Sequence, residues 1–381
     1  MMALFEIVFL ILIGGSILFY LVCALCTYQF FSSDGSSQEK TGSAQHTPVS
    51  ILVSIRGLDE GAWENWTSLC TQNHPTYEVL FGVTDINDSA VPMLEKLAAA
   101  FPNRVKLFVG LKPRGVNLKD SNLSYLLEQC QHELIIFADG DIKVNQDYIQ
   151  TVTTPLITGK ANVVTCAYIG YEPQFLGAAL ASLGRCTDFI PSLLIARILD
   201  GSLQLAVGVT IATHKATLAS FGGLQLNRIG SDYNLGKRAA LAGYKVELSH
   251  YVLGWDTGNE SIKQLYDREL RWARTIRFNR GFVYYSMAFC YGTVYCIPLL
   301  LLSHFSDWAI ALCLTTVIIR YLQVLVSVFS MKCPKLLLWL WIVPLRDALS
   351  FIIWAIGGFG KSVYWRGRKL RIEGDGLIAN G

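Results

Sequence analysis

Residues 133–144 read ELIIFADGDIKV. The run LIIFA is short, uninterrupted and apolar, the pattern of a strand buried on both faces. Asp139 and Asp141 follow it, one glycine apart, at the strand's carboxyl end. Working outward, VSILVSI (49–55), YEVLFGV (77–83), RVKLFVG (104–110) and NVVTCAY (162–168) have the same strand-like character. Between them, WENWTSLCTQ (63–72) and AVPMLEKLAAAF (90–101) suit crossover helices. This alternation predicts an α/β domain with a mostly parallel sheet covered on both faces. Ligands of such sheets bind beyond the carboxyl ends of the strands, which is where Asp139 and Asp141 would stand.

Two carboxylates this close repel unless a cation bridges them. Hard oxygen donors suit Mg²⁺ or Mn²⁺, which bind through one or two carboxylates plus substrate phosphates. A solvated turn that happens to read D-G-D is the other reading. Three further features bear on the choice. Asp85 and Asp88 lie in VTDINDSA, after the second strand. IGSDYNLGKRAALAGYKVELS places Asp232 at the start of an amphipathic helix followed by a strand. There a carboxylate serves either as a base or as an offset to the helix macrodipole. RELRWARTIR carries Arg268, Arg271 and Trp272; Arg268 and Arg271, three apart, share a helix face. Such a helix meets either a phosphorylated substrate or anionic lipid headgroups.

The rest of the 381-residue chain points to a membrane. It is 52% hydrophobic and only 16% charged, against roughly 25% charged in soluble proteins. Its net charge of +3 is too small to indicate nucleic acid. The ten cysteines form no regular framework, which suggests small buried side chains in a reducing compartment. Residues 3–31 are uncharged apart from Glu6 and long enough to span a bilayer. They lack the basic flank and cleavage site of a signal peptide, so residues 1–31 are expected to form an anchor. A polar linker is expected over 32–48 and a soluble α/β domain over 49–283. Apolar segments return over 284–358, followed by a basic tail over 359–381. Arg346 and Asp347 interrupt the last apolar segment, so it is expected to be interfacial or re-entrant. The basic tail and Lys332 and Lys335 then favour a cytoplasmic face for the tail, for the loop before the last segment and for the soluble domain. CTDFIPSLLIARIL (186–199) reads either as an interfacial helix or as a core helix. Gly208, Thr210 and His214 are candidate acceptor-side residues.

Taken together and in order, Asp85, Asp139/Asp141, Asp232 and R-E-L-R-W resemble the membrane-bound inverting glycosyltransferases of the GT-A fold. That group has spaced aspartate motifs and a terminal (Q/R)-x-x-R-W. The chain is most similar to the ceramide glucosyltransferase branch, and within it to bacterial hopanoid-biosynthesis glycosyltransferases. The similarity lies in VSILVSIRGLDEG, YEVLFGVTDINDSA, GVNLKDSNL, FADGDIKV, RELRWARTIR and PLRDALSFIIWAIGGFGKSVYWRGRKLRI, nearly the whole chain outside the linker. Animal ceramide enzymes have D-S-G where this chain has D-G-D, and Arg268 replaces the Gln common among polysaccharide synthases. The resemblance implies a UDP-sugar donor, UDP-N-acetylglucosamine or UDP-glucose, and a lipid acceptor, hopanoid or ceramide. It implies Asp139 and Asp141 as holders of Mg²⁺ or Mn²⁺, and Asp85, Lys119 and Arg56 as donor-binding residues. Asp232 would be the general base, with Arg268, Arg271 and Trp272 closing over diphosphate and acceptor.

Other classes fit less well. A processive polysaccharide synthase would need more membrane helices. A transporter would put its larger share in the membrane. A bimetal phosphohydrolase would need more than six histidines or a multi-aspartate cluster.

Overall fold

The computed structural model describes residues 2–32, 47–170, 172–365, 368–373 and 376–379. The linker expected over 32–48 lies almost wholly outside the described residues. An eight-stranded sheet forms the centre: β1 Val49–Ile55, β2 Tyr77–Val83, β3 Val105–Val109, β4 Leu134–Ala138, β5 Ile142–Lys143, β6 Val163–Gly170, β7 Thr210–His214 and β8 Val246–Trp255. The strand order is β3-β2-β1-β4-β7-β6-β8-β5. β1 lies parallel to both β2 and β4, and β3 parallel to β2. β7 runs antiparallel to β4 and β6, while β6 and β8 are again parallel.

Every residue of β2 and β4 is buried, as is all of β1 except Ser54. Helices Ala62–Cys70, Val91–Ala100 and Leu118–Gln129 cross between the parallel strands. The chain builds outward from β1 to β3, then returns to the other side of β1 with β4. That reversal opens a crevice at the carboxyl ends of β1 and β4. The D-G-D turn hangs over this crevice.

The sequence reading left β7 out. TIATH is short and threonine-rich, and its hydroxyls are spent inside the sheet. Thr213 Oγ1 donates to Asn162 O at 2.9 Å, and Thr210 Oγ1 lies 2.9 Å from the Tyr148 hydroxyl. Thr210 is therefore a packing residue. His214 pairs in register with Leu134, at the sheet edge away from Asp139. Thr210 pairs with Ala138, next to Asp139, but its hydroxyl turns to Tyr148, while His214 lies at the other end of the strand.

Among the described residues, four helical stretches are long and apolar enough to cross a membrane: Leu4–Ser32, Leu176–Leu199, Asp307–Ser330 and Pro334–Gly357. The second is mostly buried in protein, and it contains a π-helical turn, Arg185–Phe189. Helix Met2–Ser32 packs along Asp307–Ser330, Gly292–Leu302 and Ile190–Leu199. Pro334–Gly357 begins as a 3₁₀ segment, Pro334–Ile342, and continues as helix Val343–Gly357. Part of the stretch read as a basic tail forms an antiparallel sheet of β9 Ser362–Trp365, β10 Arg368–Glu373 and β11 Leu377–Ala379. This sheet docks on the loop ahead of Asp232: Ile229 N donates to Gly376 O at 2.9 Å, and Ile378 N to Asn227 O at 3.0 Å.

Candidate active site

The glycine between the two aspartates is there for want of space. A Cβ on Gly140 would collide with Ile55 Cδ1, and Gly140 O accepts from Trp66 Nε1 at 3.0 Å. The D-G-D turn is thus clamped onto the end of β1 and the first crossover helix. Asp139 N donates to Val209 O at 3.1 Å, tying the turn to the segment leading into β7.

The carboxylates then take different partners. Asp139 forms an ion pair with Lys119. Asp141 Oδ2 accepts from Trp255 Nε1 at 2.9 Å, a contact set up by the antiparallel pairing of β5 with the end of β8. Burial and the neighbouring Asp139 charge push the Asp141 carboxyl up to about 6, and Asp59 adds to the effect. A carboxylate that is hard to ionise beside its twin is what a cation would relieve. Among the described residues no group of three or more His, Cys, Asp or Glu gathers for a metal. The donor set is therefore the kind that completes its coordination with phosphate oxygens and water, and it fits Mg²⁺ or Mn²⁺.

Lys119 and Asp232 converge on the same place. Lys119 sits in the first turn of helix Leu118–Gln129, capped by Asn117. Its Nζ donates to Gly208 O at 3.2 Å. Burial lowers its pKa, but the Asp139 charge and hydrogen bond together with the Asp232 and Asp120 charges outweigh that, leaving it raised. It is a paired lysine at the crevice, not a loose loop lysine. Asp232 is in the first turn of helix Ser231–Leu241, and a Cβ on Gly208 would lie 2.5 Å from its Oδ2. Gly208, one of the acceptor-side candidates, stands here. Asp120 adds a further buried carboxyl, pushed up to about 7 by burial.

Asp85 is exposed after β2 and Arg56 exposed after β1, both on the carboxyl edge of the sheet. Asp85 Oδ1 accepts from Asn87 N at 2.9 Å. Asp88 is a structural latch: its carboxylate accepts from Gly57 N at 2.9 and 3.0 Å and from Ala90 N at 2.9 Å.

Arg268, Arg271 and Trp272 lie on helix Ile262–Arg280. Arg268 pairs with Glu260, and its Cζ stands 4.5 Å from the Trp255 ring and 5.0 Å from the Trp272 ring. Arg271 Cζ lies 5.8 Å from the Trp272 ring. Trp255 thus touches both Asp141 and Arg268, joining the carboxylate pair to the arginine motif. Composition and spacing did not single out Trp255, Glu260 or Asp59. Trp255 and Asp59 lie far along the chain from Asp141, so no local signal marks them, and Glu260, eight residues before Arg268, stands outside the motif.

The motif helix is held from the membrane side. Arg346 Nη1 donates to both Glu269 oxygens at 2.8 and 2.9 Å, and Glu269 lies inside R-E-L-R-W. Arg320 binds Asp347 at 2.6 Å and Asp188 at 2.7 Å. The charges in the last apolar segment therefore face protein.

Among solved structures, the mannosyltransferase PcManGT from Pyrobaculum calidifontis, in complex with GDP-Man and Mn²⁺, superposes with a TM-score of 0.57. Identity is 15%, covering 94% of this chain and 99% of that one. At that identity the likeness shows the fold alone, a GT-A-like glycosyltransferase fold. Ceramide glucosyltransferase 3 of Caenorhabditis elegans is 25% identical over 242 residues, 59% of this chain and 50% of the relative. Ceramide glucosyltransferase 1 of the same organism is 21% identical over 239 residues, 59% of this chain and 49% of the relative. The chain spans about half the length of these curated relatives. The match to the family described as "Glycosyl transferase family 21" runs over residues 10–378, nearly end to end, and the chain belongs to that family.

Proposed function

We propose that this chain is an inverting glycosyltransferase that moves a sugar from a UDP-sugar to a hydroxyl of a membrane lipid. The observation that carries it is the convergence of Asp139, Asp141, Lys119 and Asp232 on one crevice at the carboxyl ends of β1 and β4. The ceramide glucosyltransferase relatives support a lipid acceptor, ceramide or a hydroxylated hopanoid. The solved mannosyltransferase supports a nucleotide-sugar donor and a divalent ion. The similarity to hopanoid enzymes favours UDP-N-acetylglucosamine and the ceramide relatives favour UDP-glucose.

Asp139 and Asp141 would hold Mg²⁺ or Mn²⁺, which when bound supplies charge neutralisation on the leaving diphosphate. Lys119 is placed to move from Asp139 to a phosphate oxygen. Asp85 and Arg56, on the same edge, would meet the uridine side of the donor. Asp232 takes the proton from the acceptor hydroxyl as that oxygen attacks the anomeric carbon. The bond from that carbon to the diphosphate breaks on the opposite face, so configuration inverts without a covalent intermediate. Arg268 and Arg271 stabilise the charge developing on the leaving group, and Trp272 closes the acceptor side. The domain over 49–283 would work at the cytoplasmic face of a membrane, anchored by residues 1–31 and 284–358. The inner membrane of a bacterium is the setting that the hopanoid similarity favours.

The test is donor and acceptor profiling with purified full-length protein in detergent. UDP-glucose, UDP-N-acetylglucosamine and UDP-galactose are each paired with ceramide or a hydroxylated hopanoid, and products are read by mass spectrometry. Sugar on a lipid is the expected result. A soluble polymer would show a polysaccharide synthase instead, and no transfer with any pair would count against the reading.

A further inference from the structure

Arg185 belongs to none of the motifs above. It opens the π-helical turn Arg185–Phe189, a distortion often found at functional sites. Its side chain is buried, 6% exposed. Four aromatic rings enclose its guanidinium: Cζ stands 3.7 Å from the Trp272 ring, 4.9 Å from Tyr168, 5.3 Å from Phe189 and 5.7 Å from Trp255. Within this cage Nε and Nη2 are buried with no hydrogen-bond partner among the described residues. Arg268 shares two of the rings, and its own Nε and Nη2 are likewise buried and unpartnered. The surrounding carboxylates are committed elsewhere: Glu260 to Arg268, Glu269 to Arg346 and Asp188 to Arg320.

Two guanidinium groups in one aromatic enclosure repel each other, and ring faces satisfy charge but not N–H donors. Fixed donors of this kind suit an acceptor with several anionic oxygens, and the planar guanidinium fork matches phosphate. The enclosure also adjoins the carboxylate pair, since Trp255 donates to Asp141 at 2.9 Å. We propose that Arg185 is a phosphate-binding residue of the donor site, forming with Arg268 a two-guanidinium receptor for the diphosphate of the nucleotide sugar. This rests on the glycosyltransferase reading above. It gives the leaving group a cationic seat beside Trp255, next to the carboxylate pair.

The experiment titrates UDP and UMP, each with Mn²⁺, into full-length protein in phosphatidylcholine nanodiscs, for the wild type, Arg185→Met and Arg185→Lys. Wild type is expected to bind UDP more tightly than UMP. Arg185→Met should weaken UDP about tenfold or more, the scale of one charge-assisted hydrogen bond, and narrow the gap to UMP. Arg185→Lys, which keeps the charge, should fall between. Melting temperatures without nucleotide separate function from packing: Arg185→Met should hold or gain stability, because methionine fills an aromatic cage without an unpaired charge. A lowered melting temperature with UDP affinity unchanged in both variants overturns the proposal. A wild type that binds neither UDP nor UMP overturns the reading beneath it. If Arg185→Met leaves UDP binding intact but abolishes retention of phosphatidylglycerol in mixed nanodiscs, the cage holds a lipid headgroup and the donor assignment falls.

Discussion

Asp141 and Asp232 sit within the same crevice and have different jobs. Asp141 is disfavoured as an anion by burial and by Asp139, with its pKa near 6, above the ordinary carboxylate range. A group raised in this way holds its proton when folded and loses it when unfolded, so without metal its contribution to stability falls as pH rises from about 4 to 6. A bound cation must displace that proton. The affinity for Mn²⁺ measured by calorimetry in the presence of UDP is therefore expected to rise as pH climbs through about 6 and then level off. A flat profile would show that Asp141 does not bind the ion. Asp139→Asn should weaken Mn²⁺ across the whole range. Asp232 packs against Gly208, near Lys119. Asp232→Asn keeps its shape and is expected to cut turnover about 10²-fold or more while UDP binding and melting temperature stay near wild type. Near-normal turnover would remove it as the base.

At the scale of elements, helix Ile262–Arg280 is where the sheet domain meets the last apolar segment. Arg346 from the last apolar segment grips Glu269 on it, and both side chains are under a tenth exposed. Removing one member of a buried ion pair leaves the other uncompensated, at a cost of about 3–5 kcal/mol. Glu269→Ala is therefore expected to lower the melting temperature sharply, whereas Glu269→Leu with Arg346→Met should recover much of the loss. Equal destabilisation by the single and double variants would refute a pairwise interaction. What was legible in the sequence follows from the same distinction. LIIFA, VSILVSI and YEVLFGV announce strands because their burial is local and continuous, and D-G-D stands out because the carboxylates are neighbours. Glu269 lay inside the R-E-L-R-W motif, but its partner is 77 residues away, and no spacing links them. Arg185 was equally silent, since Trp272, Tyr168, Phe189 and Trp255 come from four different elements. β7 was missed because a short strand with hydroxyl side chains has no apolar signature.

For the molecule as a whole, contacts with the domain decide how the chain threads the bilayer. The turn after helix Asp307–Ser330 meets the domain: Lys335 pairs with Glu172 at 2.6 Å, and Trp339 Nε1 donates to Pro173 O at 3.2 Å. The end of the last segment meets it too, through Arg277 and the carbonyls of Gly358 and Gly360 and through the β9–β11 sheet against Asn227 and Ile229. A segment with both ends on the domain side is expected to turn back there and not to cross. Its α-helical part, Val343–Gly357, continues directly from the 3₁₀ segment Pro334–Ile342; the whole stretch is long enough to cross, so the contacts at its two ends decide its course. Arg346 and Asp347 then need no lipid-facing explanation, because their partners are protein. Helix Asp307–Ser330, at 24 residues, is long enough to span, so its far end, the turn at Ser303–Ser306, should lie on the opposite face. In a background cleared of native cysteines, a membrane-impermeant thiol reagent applied to sealed vesicles should distinguish Ser303→Cys from Lys332→Cys and Lys361→Cys. The last two should behave alike and opposite to the first. Labelling of Ser303→Cys and Lys361→Cys from the same side would mean that Pro334–Gly357 crosses, and that the tail sheet does not rest on the loop ahead of Asp232.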